Sequence, residues 1–404
     1  MVFGMHYSFG AMFPQLLKTF NAGQGQTAWV GSLASASLFF FSMLSVKLCD
    51  VTCVSFTCLL GSILGGTGLI LTSTAGSLET LYATHSFLFG LGTSLMYTPS
   101  LVIVARWYDQ WRSIATGFVV ASGSLGQVVL SPLLHFLMES YGVLDTFRWW
   151  GVIFMVTTVL SSTSFYLLDR RDSKESTKQS GISKYSIKWT LLRDKAYVTW
   201  LIIMMICNFT YYIPLIHLSK YAVELGAQPQ ASSLLLAAIA ASAMIGRVFF
   251  GKISNFRPEI TIPLYQFAMF FSGVITLFSS MATKFWHLLL YSILYGFLDG
   301  SFIGLISIVT MQIVGLDDLA QGWGIVLFSI AAPIALGPPT VGWMNESNSV
   351  EGRALFYLSG VPMIAGACLM FLVRLWQKNK KKDICNNDLV EEEQNTMYQF
   401  ITSL

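Results

Sequence analysis

The run from Phe285 to Thr310, FWHLLLYSILYGFLDGSFIGLISIVT, is apolar along its length except for one formal charge, Asp299, near its middle. A second run, Ala231 to Gly251, encloses Arg247 in the same way. Uninterrupted apolar stretches longer than about 18 residues have the length of helices that cross a bilayer, whereas barrel strands are shorter and alternate. An ionised side chain at the bilayer centre costs about 2.5–3.5 kcal/mol, so such groups face the protein interior or a water-filled cavity. Arg247 and Asp299 have opposite signs on different segments. A buried structural ion pair satisfies them, and so does a solute pathway that both pairs and binds.

Working outward, twelve such stretches are counted: 1–20, 28–48, 53–73, 80–105, 112–138, 146–168, 197–219, 229–251, 260–281, 285–310, 319–343 and 354–375. With 404 residues, 54% hydrophobic and only 11% charged, a mean hydropathy of +0.61 excludes an ordinary soluble domain. With both termini placed in the cytoplasm, eighteen of the 24 Lys and Arg fall on the inner side, five fall outside, and Arg247 stays in the membrane. That asymmetry orients the chain as a multi-pass membrane protein; the plasma membrane is its expected location. The net charge of +3 therefore reports topology, and nucleic acid is not an expected partner.

The six cysteines show no metal-ligand or disulfide spacing and read as small hydrophobes in or beside helices. No cofactor or metal is expected. Met1 opens directly on an apolar run without a basic leader, so no signal peptide is expected, and the first helix reads as truncated at its start. The organisation expected is an all-α membrane protein: a six-helix bundle at 1–168, a cytoplasmic linker at 169–196 with an amphipathic piece near Tyr185 to Leu192, a second bundle at 197–375, and a charged cytoplasmic tail at 376–404. Two pseudo-symmetric halves around a midplane site are the layout of secondary transporters. Gly117, Ala121, Ser122, Gly123 and Gly126 in the fifth stretch, with Gly296, Gly300 and Gly304 in the tenth, permit close helix packing. Pro99, Pro132, Pro214, Pro333, Pro338 and Pro339 are expected to interrupt helices and free carbonyls that neighbours must satisfy. Asn345-Glu-Ser347 is a glycosylation sequon in an outer loop. His85, His135 and His287 read as packing residues.

The run Trp107-Tyr-Asp-Gln-Trp-Arg-Ser-Ile-Ala-Thr-Gly-Phe-Val-Val-Ala-Ser-Gly-Ser-Leu-Gly126 resembles the fifth-helix signature of the monocarboxylate transporters, solute carrier family 16 of the major facilitator superfamily. Trp107 and Tyr108 match its aromatic pair; Ile114, Ala115, Gly117, Ala121 and Gly126 match its small-residue run; Gln110 and Trp111 replace basic residues. Further segments look like the branch that carries thyroid hormones and aromatic amino acids. They are Phe3 to Gly10, Thr27 to Ser32, Tyr97 to Ile103, Tyr212 to Tyr221, Gly246 to Gly251, Gly296 to Ile303 and Gly337 to Pro339. The resemblance implies the major facilitator fold, twelve helices in two bundles, and substrate recognition by His6, His217, Arg247 and Asp299.

The residue chemistry is consistent with that implication. A guanidinium fork holds a carboxylate bidentately, Asp accepts from an amino group, and imidazole donates to or accepts from a phenol or carboxylate. Tyr7, Phe9, Tyr211 and Tyr212 are candidates to stack on an aromatic tail. Ala243 stands where proton-coupled lactate carriers place an Asp, and Tyr7 lies near the position of their first-helix Lys. The expected function is thus facilitated transport of an aromatic amino acid or iodothyronine. Its alternatives are proton-coupled transport of small monocarboxylates such as lactate, and a truncated non-transporting product. No His-Glu-x-x-His or comparable enzymatic cluster is found. The bilayer is a partner, and an accessory membrane subunit or a homodimer stays open.

Overall fold

The computed structural model describes residues 2–107, 112–175, 189–315, 318–346 and 353–402. Within them the chain forms twelve helical segments. The first is Val2–Tyr7 continued by Phe9–Phe20; the second is Gln24–Phe40 continued by Ser42–Val51; the third is Val54–Thr72. The fourth joins Leu78–Leu81, a π-helical stretch Tyr82–Phe89, and Gly90–Trp107. The fifth and sixth are Arg112–Tyr141 and Val143–Glu175. The seventh to twelfth are Lys195–Glu224, Pro229–Phe256, Thr261–Phe278, Phe285–Val314, Leu319–Glu346 and Ala354–Thr402. Ten helices among the described residues are long and apolar enough to cross a membrane. Residues 108–111 of the fifth-helix signature, 176–188 of the linker and Ser347 of the sequon lie outside the described residues.

Local chemistry sets the helix ends. Asp194 caps helix seven by accepting from the Ala196 N–H at 2.9 Å. Pro229 opens helix eight, where its lacking N–H costs nothing. Gly142 and Gly315 follow helices five and ten at φ +87° and +88°, a conformation that side chains with a Cβ disfavour. Helix twelve runs past the expected boundary at 375 to Thr402. Its extension holds no Pro or Gly and is rich in Lys, Glu and Gln, which are good helix formers.

The prolines do not break their helices, contrary to expectation. Pro99, Pro132, Pro214, Pro333, Pro338 and Pro339 all lie inside continuous helix. What holds is the need for a substitute partner. Pro339 cannot donate to Ala335 four residues earlier, and the Ser32 hydroxyl fills that carbonyl at 2.9 Å from helix two.

Helix eight packs along helix ten, helix three along four and six, helix seven against eleven and twelve, and helix nine against ten and twelve. Helix two lies along eleven, five along eight, and one against five and seven. The contact of eight with ten is backbone on backbone. A Cβ built at Gly300 would lie 2.5 Å from the Arg247 nitrogen, one at Gly296 2.2 Å from the Ile239 carbonyl, and one at Gly246 2.1 Å from that of Phe297. Small residues let these helices approach until their dispersion contacts are close-packed. That approach brings the two intramembrane charges together.

Candidate functional site

Arg247 and Asp299 face each other across the glycine contact of helices eight and ten, with Nη2 and Oδ2 3.9 Å apart. Both side chains are buried, Arg247 at 9% and Asp299 at 7% exposure. The stem of Arg247 passes over Gly304, where a Cβ would make ordinary contact at 3.7 Å. At 3.9 Å the two charged groups attract without the short contact of a direct charge-assisted hydrogen bond, which spans roughly 2.7–2.9 Å.

A cluster of phenols surrounds the pair. The rings of Tyr7, Tyr211 and Tyr212 pack together, with centroids 6.2 Å apart for Tyr7 and Tyr211, 6.0 Å for Tyr7 and Tyr212, and 5.2 Å for Tyr211 and Tyr212. Tyr7, Tyr265 and Tyr295 are buried. The rings form a continuous aromatic wall: Tyr211 stacks on Phe302 at 5.5 Å, Phe302 on Tyr265 at 5.8 Å, and Phe3 meets Tyr97 edge-on at 4.5 Å and Tyr7 at 5.2 Å. Helices one, four, seven, eight, nine and ten thus contribute to one polar centre with aromatic walls.

The seven expected site residues divide. Arg247, Asp299, Tyr7, Tyr211 and Tyr212 converge. His6 stands apart from the charged pair: its Nε2 lies 3.1 Å from the Thr93 hydroxyl, its Nδ1 3.3 Å from that of Ser35, and its ring stacks on Phe89. His217 sits between helices seven and eleven, its ring edge-on to Phe13 at 5.1 Å. Its Nε2 is 2.8 Å from the Pro338 carbonyl. A carbonyl only accepts, so Nε2 carries the proton there. Nδ1 is buried without a hydrogen-bond partner among the described residues, and in this tautomer it is an acceptor.

Phe9 does not join the tyrosines. Its ring packs on Phe13 and His85, because positions two apart on a helix point to different sides. Phe3, Tyr97, Tyr265, Tyr295 and Phe302 were not singled out by sequence. In a chain with 14% aromatic residues no spacing marks them, although Phe3, Tyr97 and Phe302 fall inside segments whose resemblance was noted. Ala243 is fully buried beneath Gly300, with its carbonyl 2.7 Å from a Cβ built there.

Open hollows lie elsewhere. One of about 720 Å³ is lined by Thr19, Gln26, Ser77, Glu79 and Tyr82 at the end of the molecule where Asn21 turns the chain. Another of about 460 Å³ is lined by Leu137, Tyr141, Trp149 and Trp150 where helices five and six meet. Neither is lined by Arg247, Asp299, Tyr7, Tyr211 or Tyr212.

Comparison with known proteins agrees with this architecture. Residues 1–280 match the family model described as Major Facilitator Superfamily. Human monocarboxylate transporter 10 is 28% identical over 420 residues, covering 100% of this chain and 81% of that protein. Monocarboxylate transporter 12 of Xenopus laevis is 26% identical over 394 residues, covering 91% and 85%. Among solved structures, a mutant peptide transporter in complex with alafosfalin superposes with a TM-score of 0.71 at 14% identity, covering 93% of each chain; that likeness shows the fold. A multi-pass helical membrane protein with buried opposite charges at its centre, whose relatives are named as transporters, is a secondary transporter rather than an enzyme. The chain belongs to the Major Facilitator Superfamily and is homologous to its monocarboxylate transporters.

Proposed function

We propose that this chain is a facilitative carrier for a carboxylate-bearing organic solute with an aromatic body, an aromatic amino acid or an iodothyronine. It works at the plasma membrane with both termini in the cytoplasm, by alternating access of two six-helix halves, 1–168 and 197–375. The observation that carries the reading is the pair Arg247 and Asp299 inside a wall of Tyr7, Tyr211, Tyr212 and Phe302. A zwitterion matches both signs: its carboxylate suits the guanidinium fork and its ammonium suits the carboxylate. Its ring stacks on phenols, whose edge-to-face and offset contacts contribute about 0.5–1.5 kcal/mol each. The bare Nδ1 of His217 offers an acceptor for a phenol or amine when the cavity opens towards helix eleven.

Small monocarboxylates would use the Arg fork but leave the aromatic wall unfilled. Two residues argue against obligate proton coupling: Ala243 carries no carboxylate beside the site, and Tyr7 holds no amine there. The test is uptake of labelled aromatic amino acids, iodothyronines and lactate into liposomes containing the purified protein, at two external pH values. The expected result is saturable uptake of an aromatic substrate that changes little when an inward proton gradient is imposed. Uptake of lactate alone, strongly accelerated by external acid, would replace this reading with proton-coupled monocarboxylate transport. No saturable uptake of any of the three would remove the proposed substrate class.

A further inference from the structure

At the Asn21 end of the molecule two glutamates bridge helices that do not otherwise share a hairpin. Glu346, the last residue of helix eleven, accepts from the Gly25 N–H of helix two at 3.0 Å. Glu139, in the last turn of helix five, accepts from the Gln230 side-chain amide of helix eight through both oxygens, at 3.0 and 2.8 Å. His135 Nε2 stands 3.8 Å from Glu139 Oε2 on the same helix, beside the oxygen that accepts the shorter of these bonds.

The two bridges match each other. Helix two begins at Gln24 and helix eight at Pro229, so Gly25 and Gln230 are each the second residue of their helices. Helices two and eight are counterparts in a six-plus-six chain, and so are five and eleven. In both bridges a carboxylate at a helix C-terminal end meets the first turn of a partner helix, where exposed N–H groups and the helix dipole favour negative charge. The surrounding packing is tight only while the ends are together: a Cβ at Gly342 would lie 2.4 Å from the Gly25 nitrogen, and one at Gly25 2.3 Å from the Trp343 ring.

We infer that Glu139 and Glu346 are a matched pair of clasps that hold the Asn21 end of the transporter closed, and that both must release for the central site to open there. The inference rests on the alternating-access reading above. In a rocking-bundle motion, helix five separates from eight and helix two from eleven at one end while their opposite ends approach. A carboxylate released from either clasp regains water, so each bond biases the closed state modestly rather than locking it.

The test uses the full chain in lipid nanodiscs, without substrate, in a background lacking the native cysteines. Spin labels are attached through Tyr141→Cys and Gln228→Cys, at the facing ends of helices five and eight, and the distribution of distances between them is measured. Glu139→Ala and Glu346→Ala are each expected to raise the ratio of long to short distances about 3–10-fold. Together they should raise it by the product, roughly 10–100-fold, because the sites share no partner. Glu139→Gln keeps an acceptor for Gln230 and should shift the ratio less than Glu139→Ala. Glu224→Ala is the control: Glu224 is at the same end but pairs with Lys220 within helix seven, so it should leave the ratio unchanged.

The inference is overturned if the clasp variants leave the ratio where Glu224→Ala leaves it. It is also overturned if only one of the two glutamates moves it, since the pair would then not be matched. Failure of the substrate reading is seen separately, as unchanged substrate binding in Arg247 variants, and would not alter a distance ratio measured without substrate.

Discussion

Arg247 and Asp299 lose hydration together, and removing either alone leaves the other buried and uncompensated. Such a break costs about 3–5 kcal/mol, whereas exchanging both partners for apolar residues of similar volume is often neutral or stabilising. The double variant Arg247→Met with Asp299→Leu should therefore reach the membrane in near-normal amount, while Arg247→Ala alone falls in abundance. Surface quantification with uptake separates the two roles: the double variant is expected to be abundant and inactive. An abundant, active double variant would reduce the pair to packing. At this scale much of the site was legible, because charges in apolar runs need a reason whatever the fold. Tyr212 lies in a segment whose resemblance was noted, and Tyr211 stands beside it. The wall residues Phe302, Tyr265 and Tyr97 were not, since an aromatic in a membrane helix has many ordinary uses and only the packing shows which ones face Asp299. Phe9 was misread because it was judged by its neighbour Tyr7 rather than by the turn of the helix, which sends the two rings to opposite sides.

Helices eight and ten position the pair because glycine removes the Cβ atoms that would hold them apart. Gly300→Ala places a methyl 2.5 Å from the Arg247 nitrogen, and backbone cannot give way as a flexible side chain can. Overpacking of that kind costs about 1–3 kcal/mol. Gly304→Ala meets Arg247 only at 3.7 Å and fits, so it should cost a few tenths of that. Thermal unfolding of the two variants in detergent is expected to show a several-degree loss for Gly300→Ala and little change for Gly304→Ala. Equal melting would mean that the helices do not rely on this contact. The helices themselves were read from hydropathy to within a few residues for most ends. Larger differences arose where polar residues continue a helix beyond the apolar span, as in the extension of helix twelve to Thr402. Hydropathy reports the bilayer's thickness and is silent about helix that continues in water. Proline misled in a related way: Pro339 removes a hydrogen bond, yet Ser32 supplies another and the helix continues.

The helical architecture of the whole molecule was legible from the apolar runs, because the thickness of a membrane imposes their length. Which helices touch across the middle was not, since helix two against eleven and five against eight follow from three-dimensional packing. The proposed orientation puts the turn between helices two and three in the cytoplasm, where Cys53 is exposed. In a Cys385→Ser background, a membrane-impermeant maleimide should label Cys53 only after cells are permeabilised. Labelling of intact cells would invert the topology. The central claim is that the buried guanidinium holds the substrate's carboxylate, and Arg247→Lys tests it with the least disturbance, keeping the charge but losing the planar fork. The deciding measurement is equilibrium binding of a labelled aromatic amino acid or iodothyronine to purified wild type and Arg247→Lys, matched for amount and thermal stability. Loss of a bidentate charge-assisted contact, about 1.5–3 kcal/mol, predicts binding roughly 10–100-fold weaker in the variant. Unchanged affinity would contradict the account and leave Arg247 a partner of Asp299 alone.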